Sequence, residues 1–235
     1  MQPKILSIDS AGTLCSVACS GFQKDTFLES KPGQKHTEIL LGMIDEALNQ
    51  AGGSLKELDA VAFGSGPGAF TGLRVACGTA QGIGWALKKP LIAVPNLGAI
   101  AYTVFEPYAV GSRLFVAVDA RMNECYCQAF EKTADGLKPL NDCCLQKPET
   151  LMDDARELEC TIFTGNGFAA YNVEIKPEIG IYRSDIGLAN AQMLMKVALK
   201  LFEANKTILP EQASPLYVRN HVAMTIEERL QLHRK

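Results

Sequence analysis

Residues 5–19 read ILSIDSAGTLCSVAC, and this stretch carries the strongest signal for the architecture. Apolar residues lead to Asp9, a short polar turn follows, and a Cys-bearing run ends the stretch, which is typical of a β-hairpin. Residues 115–129, FVAVDARMNECYCQA, repeat the pattern without a gap, with Asp119 in the place of Asp9. Strand-turn-strand patterns are common enough for one aligned pair to arise by chance, but a true repeat predicts a duplicated α/β unit and two related halves.

The composition is that of a folded protein. The chain has 235 residues, 47% hydrophobic and 21% charged, which is enough for two small domains with substantial cores. A net charge of −3 does not indicate a basic surface for nucleic acid, although a partner could supply positive charge. The N-terminus lacks a secretory signal, and no apolar run approaches the roughly 20 residues that a bilayer requires. We therefore expect a cytoplasmic protein without a membrane segment, whose eight cysteines are reduced and mainly structural.

Hydrophobic periodicity predicts the remaining elements. HTEILLGMIDEALNQA, residues 36–51, has an apolar stripe at helical spacing, and Gly52-Gly53 ends it. The other predicted elements are strands at 26–28, 60–63, 91–94, 114–118, 125–130 and 161–164, helices over about 72–87, 97–105 and 190–203, an extended segment at 210–219 and a polar helix over 225–235.

GSGPGAFTGLR, residues 64–74, follows a buried strand and precedes a helix, which is the usual position of a phosphate-binding loop. The Walker A pattern fails because no Lys followed by Ser or Thr stands in the required register. A dinucleotide-binding loop needs an acidic residue about 20 positions further on, and residues 83–93, IGWALKKPLIA, contain none. We therefore favour a tight packing turn in which Thr71 caps the next helix, with ligand binding as the alternative.

The helix after this loop is rich in small residues, including Gly78, Gly82 and Gly84. Each glycine inside a helix costs roughly 1 kcal/mol relative to alanine, so three of them need a compensating contact. Small residues let another helix approach closely. We expect a helix of this chain or of a partner to pack on this surface.

Asp9-Ser10-Ala11-Gly12-Thr13 is the second candidate site. It resembles the turn with which actin-like and sugar-kinase proteins hold phosphates, where a carboxylate organises the metal–nucleotide complex and hydroxyls contact phosphate. The corresponding residues here are Asp9, Ser10 and Thr13. Asp, Ser and Gly are also ordinary turn residues, so a purely structural hairpin turn is the alternative. The three histidines form no evident triad with a serine or cysteine nucleophile.

Four segments together resemble the TsaB (YeaZ) family of tRNA threonylcarbamoyladenosine biosynthesis subunits. They are ILSIDSAGTLCSVAC, GPGAFTGLRVACGTAQGIGWA, VAVDARMNECY and SPLYVRN, which lie in this order over most of the chain. The resemblance implies an α/β, actin-like ATPase fold of the ASKHA, ribonuclease H-like group, with two duplicated α/β subdomains. We place them at residues 1–103, with the partner-binding helices, and 104–235, and the segment from about 211 is a candidate for packing back on the first.

The resemblance also implies a function, that of a non-catalytic scaffold subunit in the bacterial complex that forms N6-threonylcarbamoyladenosine in tRNAs reading ANN codons. Such a subunit pairs with the catalytic TsaD subunit, helps to recruit the TsaE ATPase and meets tRNA through the complex, and a homodimer through the same surface is a further expectation. TsaD carries two metal-binding histidines, HxxxH, in the region that corresponds to VPNLGAIA, residues 94–101. Asn96 and Ile100 stand at those positions and do not suit a transition metal. We therefore expect no metal or cofactor of its own, with ATP and a metal ion in the partner subunits.

The helices at 36–51 and 72–87 are the expected partner surface, because an exposed face of small apolar residues marks an interface. The candidate contact residues are Leu41, Ile44, Leu48, Leu73, Cys77, Ala80, Gln81 and Gly84. The alternative function is a nucleotide-dependent enzyme of the actin-like or sugar-kinase group that uses Asp9, Ser10 and Thr13.

Overall fold

The first half of the protein is one mixed sheet with helices on both faces. The structure is a computed structural model that describes residues 2–219, and the predicted helix over 225–235 lies outside this range. The five strands have the order β3-β2-β1-β4-β5. The elements are β1 (Ile5–Asp9), β2 (Ser16–Ser20), β3 (Thr26–Glu29), α1 (His36–Ala51), β4 (Ala60–Gly66), α2 (Phe70–Leu87), β5 (Leu91–Pro95) and α3 (Asn96–Val104).

The second half contains the second sheet, in the order β11-β10-β6-β7-β8, with β9 paired to β7. Its elements are β6 (Arg113–Arg121), β7 (Glu124–Thr133), β8 (Gly136–Pro139), β9 (Cys144–Gln146), α4 (Leu151–Glu157), β10 (Ile162–Thr164), α5 (Gly167–Ala170), β11 (Ile181–Arg183) and α6 (Ala191–Glu203). The sequence patterns did not predict α4, which has seven residues, or the four short elements β8, β9, α5 and β11, which have three or four residues each.

The two sheets have the same topology. Each begins with three antiparallel strands in sequence, β1-β2-β3 and β6-β7-β8. In each, the first of these strands then pairs in parallel with a later strand, which pairs in parallel with the last. Asp9 and Asp119 occupy the same position, near the carboxyl end of the first strand of each sheet. The repeat seen in the sequence is therefore a duplication of the whole sheet.

The predicted bounds of α1 are confirmed, and local chemistry explains them. Apolar residues recur every three or four positions, and the buried set packs on the first sheet together with α2. Gly52 follows the helix with φ of 72°, and its N–H bonds to the carbonyl of Asn49. A left-handed glycine at this position ends a helix without the steric penalty that a Cβ would add.

Two helices lie between the sheets, and each of them packs on the sheet of the other half of the chain. Leu97 and Ile100 of α3 pack on β6 of the second sheet, whereas Leu194 and Ala198 of α6 pack on the first sheet. The N–H of Ala191, at the start of α6, donates to Ser16 Oγ at 2.9 Å. The chain thus returns to the first half at α6, which lies before the predicted position near residue 211. The division into subdomains at 103/104 stays a prediction.

The segment after α6 continues over the first half. Pro210–Gln212 forms one short 3-10 turn inside the segment that we predicted as extended, and residues 213–219 belong to no helix or strand. Gln81 Nε2 of α2 donates to the carbonyls of Pro210 and Ala213 at 3.1 and 3.0 Å. The N–H of Leu216 donates to the carbonyl of Ser65 at 2.7 Å.

The eight cysteines form no disulfide, and six of them are buried. Burial raises the pKa of Cys15 and of Cys125 to about 12, so these thiols stay protonated near neutral pH. Within residues 2–219, none of the helices combines the length and the apolar character needed to cross a membrane.

Candidate functional site

Three side-chain and backbone groups meet where the parallel strands of the first sheet end. Asp9 is the last residue of β1, Gly66 is the last of β4, and Asn96 follows β5 directly. Asn96 Nδ2 donates to Asp9 Oδ1 at 3.0 Å, and the N–H of Gly66 donates to Asn96 Oδ1 at 2.7 Å. The amide of Asn96 thus links the carboxylate to the glycine loop and uses both of its polar atoms inside the chain.

Asp9 is buried at this junction, with an exposed fraction of only 1%. Burial removes water from the carboxylate and raises the pKa of Asp9 to about 6, although the hydrogen bonds from Asn96 and from the N–H of Ala11 and the charge of His36 each lower it. Among the described residues, Asp9 Oδ2 has no hydrogen-bond partner. The folded protein therefore favours the protonated form of Asp9 more than the unfolded chain does.

The glycine loop packs directly on the first hairpin turn. Ser10 Oγ donates to the carbonyl of Gly72 at 2.7 Å, and the N–H of Ala69 donates to the carbonyl of Ala11 at 2.8 Å. A Cβ placed on Gly72 would lie 1.8 Å from the carbonyl oxygen of Ser10, and one on Gly68 would lie 2.7 Å from the Cβ of Ala11. These glycines let two backbones approach closely, which supports the packing interpretation of the loop.

One detail of that interpretation is wrong, and the helix that we expected over the small residues of α2 stays a prediction. Thr71 does not cap α2, because the helix already begins at Phe70, and the N-cap residue, Ala69, makes no side-chain hydrogen bond. Among residues 2–219, Gly78 and Gly82 have no atom within 4 Å of an added Cβ, so they face open space in this part of the chain.

The three residues of the candidate phosphate turn, Asp9, Ser10 and Thr13, have different environments in the structure. Asp9 and Ser10 are buried and bonded to the chain itself, as described above. Thr13 is exposed and lines a cleft of about 440 Å³ between the two halves. Of the three, only Thr13 is placed to contact a molecule in that cleft.

The second half repeats the arrangement at Asp119. Asp119 Oδ1 accepts from the hydroxyl of Tyr171 at 2.7 Å and from the N–H of Arg121 at 2.8 Å, while its own N–H donates to Asn166 Oδ1 at 3.0 Å. Gly165 follows β10 with φ of 101°, and an added Cβ would lie 2.0 Å from the carbonyl oxygen of Ala117. Both halves therefore use a glycine-containing turn after the parallel strand to support the hairpin that carries the aspartate.

Most of the predicted contact residues on α1 and α2 lie in the core. Leu41 is 64% exposed, and Gln81 is half-buried and bonded to the C-terminal segment. The other six pack inside the first half and cannot form the outer surface that we expected: Ile44, Leu48, Leu73, Cys77, Ala80 and Gly84. These six residues belong to the apolar stripe of each helix, and in an amphipathic helix that stripe faces the core.

The exposed side of α2 is a different stripe. Its members recur every three or four positions and share one arc of the helix. Trp85 is 67% exposed, although tryptophan is usually well buried. The stripe consists of Phe70, Arg74, Gly78, Gly82 and Trp85, and all five residues are exposed. Bulky side chains thus flank two glycines, so this face of α2 has a shallow groove at its middle, where no side chain projects.

The segment that corresponds to the histidine pair of TsaD is an internal packing element. Ile100 is buried against the second sheet, and Asn96 is the buried link to Asp9. Within residues 2–219, no three His, Cys, Asp or Glu side chains lie together as a group that could hold a metal ion.

Two sheets of one topology, joined by helices that cross between them, define the class as a duplicated, actin-like (ASKHA) α/β protein. The family model for TsaD, described as tRNA N6-adenosine threonylcarbamoyltransferase, matches residues 30–227. The proteins named tRNA threonylcarbamoyladenosine biosynthesis protein TsaB from Escherichia coli (strain K12) and Haemophilus influenzae are 32% and 33% identical to this chain. These matches cover 94% and 93% of this chain and 96% and 94% of the relatives.

A solved structure, described as an uncharacterized protein with similarity to peptidase YEAZ from Pseudomonas aeruginosa, has a TM-score of 0.79 at 28% identity. It covers 92% of this chain and 100% of the solved one. The chain belongs to the TsaB (YeaZ) family, and the resemblance noted in its sequence is confirmed.

Proposed function

We propose that this protein is a non-catalytic scaffold subunit of the complex that forms N6-threonylcarbamoyladenosine in tRNAs reading ANN codons. It acts in the cytoplasm, pairs with a TsaD-like catalytic subunit and helps to recruit a TsaE-like ATPase. The observation that carries the proposal is Asn96, which stands where the resemblance places a metal-binding histidine. Its amide is buried and bonded to Asp9 and Gly66, so it serves as a structural link.

The contacts of the glycine loop support the same proposal. The backbone of Gly72 lies against Ser10, and that of Ala69 against Ala11, on the turn that would hold phosphate in a related ATPase. A carboxylate that organises a metal–nucleotide complex must face the ligand, whereas Asp9 is buried behind this turn. ATP and a metal ion would then be held by the partner subunits.

The partner surface that we propose is the exposed stripe of α2, together with Leu41 on the neighbouring α1. Trp85 and Leu41 are large apolar side chains that stay exposed in this chain, and such groups are frequent at interfaces. Gly78 and Gly82 leave room for the backbone of a partner helix to approach closely. A homodimer through the same stripe would compete with the pairing.

Depletion of the protein tests its place in the pathway. We expect the threonylcarbamoyladenosine content of bulk tRNA to fall at least tenfold, measured by mass spectrometry of digested nucleosides. Re-expression of the wild-type chain should restore it. Unchanged levels of the modified nucleoside after depletion would refute the proposed role.

Gly82→Arg tests the partner surface. The added side chain enters open space, and arginine favours a helix over glycine by roughly 1 kcal/mol, so the melting temperature should stay level or rise. The same side chain should block a closely packed partner helix and weaken binding to the TsaD-like subunit at least tenfold, measured by size-exclusion chromatography and calorimetry.

Glu157→Arg is the matched control for this variant. Glu157 is an exposed residue of α4 in the second half, so the substitution also places an arginine on a helix surface. It should leave binding unchanged. If Gly82→Arg and the wild type bind the TsaD-like subunit with equal affinity, the exposed stripe of α2 is not part of the interface.

A nucleotide-dependent enzyme is the second candidate, and the cleft between the halves is the observation that favours it. Its volume of about 440 Å³ lies in the range of small-molecule sites, and both Thr13 and Arg121 line it. If the isolated chain hydrolyses magnesium-ATP and Thr13→Ala abolishes the turnover, this function replaces the scaffold. Absence of turnover counts against it.

A further inference from the structure

Residues 214–219, SPLYVR, belong to no helix or strand and lie at the cleft, and we call this segment the strap. Leu216, Tyr217, Val218 and Arg219 all line the cleft between the two halves. The strap is part of one of the four segments that resemble the TsaB family, but the proposed function assigns it no role. Its contacts show that it reaches from one half to the other.

The beginning of the strap is attached to the first half. The N–H of Leu216 donates to the carbonyl of Ser65, in the strand that leads to the glycine loop, at 2.7 Å. Arg74 Nε donates to the hydroxyl of Tyr217 at 3.0 Å. The centroids of the Tyr217 and Phe70 rings are 5.5 Å apart. Both Phe70 and Arg74 belong to α2.

The end of the strap is attached to the second half through Arg219. One guanidinium nitrogen donates to the carbonyl of Ala120 at 3.0 Å and pairs with Glu124 Oε2 at 2.7 Å. A further guanidinium nitrogen lies 3.0 Å from the sulfur of Met122. The side chain of Arg219 is only 15% exposed. All these partners belong to the turn between β6 and β7 or its flanking residues.

We propose that the strap is a clamp built into the chain, which holds the two halves in one orientation and covers part of the cleft. Between the sheets, the halves meet through α3 and α6, so rotation about these helices would open the cleft. Such an opening must break the contacts at one end of the strap. Charge-assisted hydrogen bonds of a largely buried guanidinium are among the stronger polar contacts, so the closed arrangement is stabilised without any ligand.

Hydrogen–deuterium exchange of full-length Arg219→Ala tests the clamp. We expect roughly tenfold faster exchange both at residues 119–125 and at residues 65–70, because the loss of hydrogen bonds to a charged group favours the open form. Arg156→Ala is the matched control, since it deletes an exposed arginine whose partner, Asp153, lies in the same helix. This control should leave exchange in both regions unchanged.

Tyr217→Ala tests whether the two ends of the strap act together. Tyr217 contacts the first half, so if each end acts only locally, this substitution changes exchange only near Phe70 and Arg74. The clamp predicts faster exchange at residues 119–125 of the second half as well. Unchanged exchange there in Tyr217→Ala, or unchanged exchange at residues 65–70 in Arg219→Ala, would overturn the proposal. If Arg219→Ala does not fold, Tyr217→Ala alone decides the question.

Discussion

Gly72→Ala should destabilise the protein by about 3 kcal/mol or more, the upper range for overpacking of a core. The added Cβ would lie 1.8 Å from the carbonyl oxygen of Ser10, and the other nearest atoms are the carbonyl carbon of Ser10 and the Cα of Ala11. These are backbone atoms of the first hairpin turn, so no side-chain rotation relieves the clash. The shift also breaks the hydrogen bond from Ser10 Oγ to the carbonyl of Gly72. Urea unfolding followed by circular dichroism measures the loss.

Gly78→Ala and Gly82→Ala are the matched controls, because they make the same change in the same helix. At neither position does any described residue place an atom within 4 Å of the added Cβ. Each substitution should stabilise the protein by roughly 0.5–1 kcal/mol through helix propensity alone. Opposite signs within one helix would demonstrate close backbone packing at Gly72. A Gly72→Ala variant as stable as these controls would show that the loop does not pack on the hairpin turn as described.

Asn96→Ala should have the second large effect, a loss of about 3 kcal/mol at pH 7.5, since a buried charged group and a buried N–H both lose their partner. Asp9 Oδ1 would keep only the bond of 3.4 Å from the N–H of Ala11. The N–H of Gly66 would lose the acceptor at 2.7 Å. Thermal and urea unfolding over a pH series measure the difference between the variant and the wild type.

The pH dependence of this loss follows from the pKa of Asp9. Burial raises it to about 6 from an ordinary value of 3.8, so the folded protein binds this proton more tightly than the unfolded chain. Ionised Asp9 therefore lowers stability above pH 6, and the penalty disappears as the pH falls through 6 toward 3.8. The cost of Asn96→Ala should be smaller at pH 5 than at pH 7.5, because a protonated carboxyl needs the amide donor less.

Asp9→Asn is the control for the pH series. It removes the ionisable group, so the contribution of this position to the pH dependence of unfolding should vanish between pH 5 and 7.5. An Asn96→Ala loss of equal size at both pH values would contradict the assignment of the charge effect to Asp9.

The sequence patterns predicted those elements whose signals are local. The residues of α1 repeat at helical spacing and end at Gly52, and both bounds are confirmed. The hairpin around Asp9 and its counterpart around Asp119 are also confirmed, because alternation and turn residues lie within about fifteen positions. The short strand β11 has no such signal, since its three residues pair with a strand almost twenty positions away.

The face of α2 that packs inside could not be read from the sequence. Small residues occur all around this helix, so the contrast between its apolar and polar sides is weak. Cys77 and Ala80 belong to the buried side and Gly78 and Gly82 to the exposed side, although all four are small. The predicted partner surface therefore contained core residues, and Phe70 and Trp85 are the large apolar residues that could have indicated the exposed stripe.

By itself, the sequence determined the two hairpins, the bounds of α1 and the family, because these depend on residue types and on hydrogen bonds between near neighbours in the chain. Only the tertiary structure decided what the conspicuous polar and glycine residues do. Asn96 reaches Asp9 across 87 positions and Gly66 across 30, and Arg219 reaches Ala120 across 99. Contacts of this kind arise from the packing of strand ends and of the strap at the cleft, and no local pattern encodes which groups will meet there.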